Sequence, residues 1–171
     1  MANRPTSSDR NELKARIRQA WDEIEAIVRP LDERRLAAIP PDGGWSVKDH
    51  LAHMAVWLEV AAARVRGMPD NAPFGMDEMS FIAADIDGLN EAAHRLNRDR
   101  APEDVLSDLR ETHAGMLEIV EGLAEADLAG PARSLRPRAR QEPLITTIAA
   151  NTYEHYEEHA GWIRALLARL D

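Results

Sequence analysis

His155 and His159 stand four residues apart in "NTYEHYEEHAGW", and imidazole is the side chain best suited to hold a metal ion or move a proton near neutral pH. On a helix, residues i and i+4 have neighbouring Cβ atoms, so both rings can reach one point. At about 100° per residue, Ile148, Ile163, Leu166 and Leu170 draw the apolar face of a helix predicted from Leu144 to Leu170. Both histidines fall in the middle of that face, with Asn151 and Thr152 just above them on the same stripe. Two imidazoles side by side in an apolar interior each need a partner. A shared divalent cation is one; a separate carbonyl or carboxylate for each ring is the other.

The same letters spell H-x-x-E-H, a zinc-peptidase spacing. That chemistry needs a third protein ligand, usually a glutamate well downstream, and only twelve residues, 160–171, follow His159. Glu158 is also predicted to point away from the histidine stripe, so a peptidase is not expected. A third ligand would come from another helix. His50 and His53 share the second predicted helix, His53 at the edge of its apolar stripe beside Trp57; periodicity leans to His50 and leaves both open. His113 falls on the apolar face of the third helix between Leu109 and Met116, as a ligand, a supporting partner or a satisfied core histidine, the last being preferred. His94 is expected to face solvent. Tyr156 lies nearer the apolar side than Tyr153 and could orient a substrate or pack, and Asn151 could bond a ligand or its own backbone.

Other chemistries are limited by composition. There is no cysteine, so disulfides, thiolate metal sites and cysteine nucleophiles are excluded. A net charge of −9 argues against general nucleic-acid binding, which needs a basic face. The local exception is "PARSLRPRAR", where Arg133, Arg136, Arg138 and Arg140 could recruit an anionic substrate or simply form a solvated loop. No signal-peptide core or membrane-length apolar run is seen, so a cytoplasmic protein without membrane contact is expected.

Four helices must position these residues. The first runs from about Asp9 to Val28 on the stripe Leu13, Ile17, Trp21, Ile24, Val28. The second opens at Ser46, a predicted N-cap with Asp49 in place of the usual capping-box glutamate, and ends at Gly67. Met76 to Arg100 is predicted as partly helical, broken around Gly88. Pro102 starts a third helix ending near Gly122, and a long connection leads to the fourth from Leu144. An all-α four-helix bundle with a long crossover connection, one domain over 1–171, is the predicted architecture.

"GWSVKDHLAHMAVW" and "NTYEHYEEHAGWI" resemble the second and last helices of the DinB/YfiT-like superfamily. Together with "VLSDLRETHAGMLEIVEGLAEADL", they are most similar to its ClbS/DfsB branch. The resemblance implies metal ligation by His53, His155 and His159, choosing His53 over His50. It implies zinc or nickel with an open coordination position, and in some relatives a low-molecular-weight thiol as cofactor. A small-molecule substrate is implied, with Asn151, Tyr156, Trp57 and His113 as candidate contacts around it. The leading expectation is hydrolysis or thiol transfer on a small electrophile. The alternatives are a metal-free bundle that sequesters a hydrophobic molecule, as a ClbS-like resistance protein would, and a dimerisation module; a homodimer is in keeping with similar bundles.

Overall fold

The computed structural model of the chain describes residues 10–170, and Asp9, where the first helix is predicted to begin, lies outside them. Helix α1 (Arg10–Val28) buries Leu13, Ile17, Ala20, Ile24 and Val28, the spacing that a single apolar stripe requires. A short α2 (Glu33–Ala37) follows, capped by Asp32. Helix α3 (Val47–Arg66) starts at the predicted capping box: the Ser46 side chain accepts from the Asp49 backbone N–H, and Asp49 accepts from the Ser46 backbone N–H at 2.9 Å. It stops at Gly67, whose φ of 70° is left-handed.

The excursion before the next long helix carries a 3₁₀ turn (Ala72–Phe74), α4 (Glu78–Ala83) and α5 (Ile86–Asn97). Its break falls at Ala84 and Asp85 rather than at Gly88. Asp85 caps α5 by accepting from the Gly88 N–H at 2.8 Å, so the glycine belongs to the first turn of that helix. Helix α6 (Pro102–Gly122) begins on its first-turn proline as predicted. The long connection contains α7 (Glu125–Leu128), a 3₁₀ turn (Ala139–Gln141) and an isolated bridge between Pro131 and Pro143; no strand forms among the described residues.

The predicted fourth helix is in fact two, α8 (Leu144–Asn151) and α9 (Tyr153–Leu170), parted at Thr152 with φ −123° and ψ −105°. Two successive side chains take over ladder carbonyls there. Asn151 Nδ2 donates to Thr147 O and Thr152 Oγ1 to Ile148 O, both at 2.7 Å, while the Thr152 N–H turns to Ala149 O. The break shifts the buried face, so Tyr153 is buried along with Tyr156.

Around the bundle, α1 packs on α6 and α9, and α3 packs on α6, α8 and α9. Consecutive long helices α1 and α3 therefore lie across a diagonal, which demands the crossover. One core fills the space between these helices. A second, around Val56, Val60, Phe74, Phe81 and Leu89, fastens the excursion to the outer side of α3. Full burial of Phe81 and Leu89 contributes about 1.5–3 kcal/mol each. The buried Lys48 ammonium supports the same joint, donating to the Asn97, Arg98 and Arg100 carbonyls at the C-terminal end of α5.

A fully buried carboxylate anchors the long connection. Asp70 accepts from Arg64 Nε at 2.8 Å, Ser134 Oγ at 2.5 Å and the Leu135 N–H at 2.9 Å. Burial alone would raise its pKa, but those three donors together hold it below the usual carboxylate value. No described helix is long and apolar enough to cross a membrane.

Candidate metal centre

Helices α3 and α9 meet histidine to histidine. One ring nitrogen from each of His53, His155 and His159 lies within 4.8 Å of one from each of the others. His53 Nε2 is 3.0 Å from His155 Nε2. His50, the other sequence candidate, joins the group from one turn earlier in α3, its Nδ1 3.0 Å from His159 Nδ1. A neutral imidazole has one donor and one acceptor nitrogen. Each close pair is therefore a hydrogen bond between complementary tautomers, or a pair of lone pairs converging on a cation.

The remaining ring nitrogens test whether a metal fits. His53 Nδ1, His155 Nδ1 and His159 Nε2 are buried without a hydrogen-bond partner, and among the described residues only Arg10 Nε shares that state. A buried polar atom left unpaired costs about 1–3 kcal/mol, and a cation among the rings would relieve at least part of that. If His159 donates its Nδ1–H to His50, its Nε2 lone pair is left free, the arrangement a ligating imidazole needs. His53 and His155 have no such outer partner. The donor set and its orphaned nitrogens fit a divalent cation.

Burial keeps these rings neutral. It lowers the pKa of His53 to about 3 and of His155 and His50 to about 4, helped for His53 and His155 by neighbouring imidazoles. His159, fully buried, is pushed down furthest, again by burial first and by the three other rings second. Neutral imidazole is the ligating form.

The cluster opens into a cavity of about 330 Å³, walled by Trp45, Trp57, Trp162, Ile86, Asn90 and Asn151. Trp162, 48% exposed, stands edge-on to His159 with ring centroids 4.8 Å apart. Trp45 lies 5.0 Å from the His53 ring and 5.2 Å from that of His50. Trp57 donates its indole N–H to Asn90 Oδ1 at 3.2 Å.

Of the sequence candidates, His53, His155, His159, Trp57 and Asn151 are brought together here. Tyr156 and His113 are not: they face the core, bonded to each other at 3.1 Å, with Trp21 stacked on the His113 ring at 4.1 Å. His94 is not simply solvent-facing, since it stacks on Trp45 and sits 3.7 Å from Asp49 Oδ1. Glu158 is exposed but reaches the cavity rim instead of turning fully away. None of the arginines of the 133–140 loop lines the cavity. Arg136 reaches Phe81 O and lies over the Phe81 ring, and Arg140 donates to the Ser134 and Leu135 carbonyls.

Sequence reasoning missed Trp45, Trp162, Ile86 and Asn90. Trp162 had a usable signal, three residues after His159 on the same face. Trp45 directly precedes the N-cap of α3. Asn90 and Ile86 had no local mark.

A family model described as the DinB superfamily matches residues 16–163. No curated protein matches the chain in sequence. Among solved structures, DfsB, described as a sibling lethal factor precursor, superposes with a TM-score of 0.73 at 18% identity over 95% of each chain. A protein from Streptococcus pneumoniae gives a TM-score of 0.74 at 15% identity, covering 94% of this chain and 91% of its own. The colibactin self-resistance protein ClbS, solved in complex with a dsDNA, gives 0.68 at 18% identity over 95% of this chain and 97% of its own. At such identities the likeness is one of fold.

Proposed function

Since the chain belongs to the DinB superfamily, we propose that it is a metal-dependent enzyme that transforms or detoxifies a small electrophilic molecule, with His53, His155 and His159 holding zinc or nickel. The observation that carries this reading is the convergence of three imidazoles, two buried and that of His155 half-buried, beside an open cavity, with one nitrogen of each ring left unpaired. A divalent ion on three imidazoles supplies Lewis acidity that renders a water or a low-molecular-weight thiol nucleophilic at neutral pH. The chain's own share is to keep the ligands neutral by burial, to hold His159 through His50, and to shield the site with three indoles. A nucleic-acid substrate suits it poorly, given the net charge of −9 and the use of Arg136 and Arg140 within the chain itself.

A second reading has its own support. The two 3.0 Å imidazole pairs can also satisfy each other as hydrogen bonds, which suits a metal-free bundle that sequesters an apolar molecule. Metal analysis of protein purified without an affinity tag separates the two. About one equivalent of metal is expected in the native protein, with loss in His53→Ala and His159→Ala. Saturating free metal at a hundred times Kd should add about 2.7 kcal/mol to stability. Metal-free protein, or occupancy indifferent to both substitutions, rules out the enzyme reading as stated.

A further inference from the structure

Two amides face the histidine cavity, and the orientation of each is dictated by a partner that allows only one. The Trp57 indole N–H can only donate, so Asn90 must present Oδ1 to it, leaving the Asn90 NH₂ free. Backbone carbonyls can only accept, so Asn151 must give its NH₂ to Thr147 O, leaving its own Oδ1 free. Neither free amide atom has a partner among the described residues, and both residues line the cavity. The cavity thus offers one fixed donor and one fixed acceptor against walls of Trp45, Trp57, Trp162 and Ile86, three of the protein's four tryptophans.

We infer that the site takes a flat, unsaturated, mainly apolar molecule that carries both a hydrogen-bond acceptor and a donor, with Asn90 and Asn151 reading that polarity. Indole faces and edges favour planar π-systems through offset and edge-on contacts. A cavity of about 330 Å³ lies at the small end for ligand sites, room for a one- or two-ring compound. The two amides discriminate more sharply than the indoles, because a ligand lacking either complement leaves a desolvated amide unpaired. The inference rests on the histidine cavity being the substrate site, but it does not depend on an ion being bound.

The test is a ¹H–¹⁵N NMR titration of the whole chain, following the tryptophan indole N–H signals, with three matched probes. Benzamide is flat and has donor and acceptor, acetophenone replaces its donor by a methyl group, and cyclohexanecarboxamide keeps the amide on a saturated ring. Benzamide is expected to saturate in the millimolar range and to bind a few-fold more tightly than cyclohexanecarboxamide and about tenfold more tightly than acetophenone. Asn151→Ala should abolish the preference for benzamide over acetophenone. Asn90→Asp keeps the acceptor for Trp57 but removes the donor, and should weaken benzamide and acetophenone alike. Absence of saturation, equal affinity for all three probes, or a preference that survives Asn151→Ala overturns the inference. Repeating the titration after chelation separates it from the metal reading: the preference should persist whether or not metal was found.

Discussion

Replacing Asp70 by asparagine removes one charge and should loosen a segment more than sixty residues away. The carboxylate is wholly buried, and Arg64, its ion-pair partner, is 8% exposed. An asparagine oxygen can keep some of the three donors, but its NH₂ must then face another of them. Taking one member from a buried pair costs about 3–5 kcal/mol; because the Arg64 side chain retains some contact with water, about 3 kcal/mol is the expected loss. For a chain of this size that corresponds to a fall of about 6–12 °C in the unfolding midpoint. Calorimetry and urea unfolding read the loss. Limited trypsinolysis reads its location, because Ser134 and Leu135 would no longer be pinned and cleavage after Arg133 or Arg138 should quicken. The pH dependence has a fixed sign. Asp70's folded-state pKa is lowered, so its contribution is complete above the unfolded value near 4 and fades as pH falls through the folded value. The gap between wild type and Asp70→Asn should accordingly narrow below about pH 4. A midpoint shift under about 2 °C with an unchanged cleavage pattern would refute the claim that this carboxylate anchors the connection.

Two further outcomes are expected. His113 is one of five histidines with pKa values pushed down by burial, in its case to about 4, so its neutral form stabilises the fold fully above about pH 6.5 and progressively less towards pH 4. In chelator, His113→Gln should retain a partner for the Tyr156 hydroxyl yet show a shallower loss of stability across that window; an identical slope argues that His113 does not titrate this way. Gly67→Ala forces an L-residue into φ 70° and sets its Cβ 2.7 Å from Arg133 Nη1, so a loss of about 1–2 kcal/mol is expected by urea unfolding. No loss would mean that α3 can end without the left-handed turn.

Local signals carried most of what could be read before folding. Ser46 and Asp49 are three residues apart and cap the same turn, and His155 and His159 share one face of one helix, so neither needed knowledge of the fold. His50 against His53 could not be resolved by periodicity because both reach α9: one meets His159 and the other His155. The break at Thr152 escaped notice because asparagine and threonine are ordinary helix residues until their side chains find the carbonyls behind them. Tyr156 shares a helix with cavity residues and His113 lies on the apolar face of α6, but a stripe does not say which of two neighbouring helices each will meet. Asn90 was out of reach altogether, since its role depends on the path by which the excursion returns to Trp57.

Lys48 is not part of the histidine cluster, yet it holds the carbonyls at the far end of the helix that carries Ile86 and Asn90. If that helix swings away, the cavity loses one wall and its fixed donor while the histidines on α3 and α9 stay in place. Apparent affinity for a small molecule then scales with the fraction of chains whose wall is closed. Any substitution that neutralises this lysine would therefore loosen that wall of the cavity, leaving the histidines of α3 and α9 where they are.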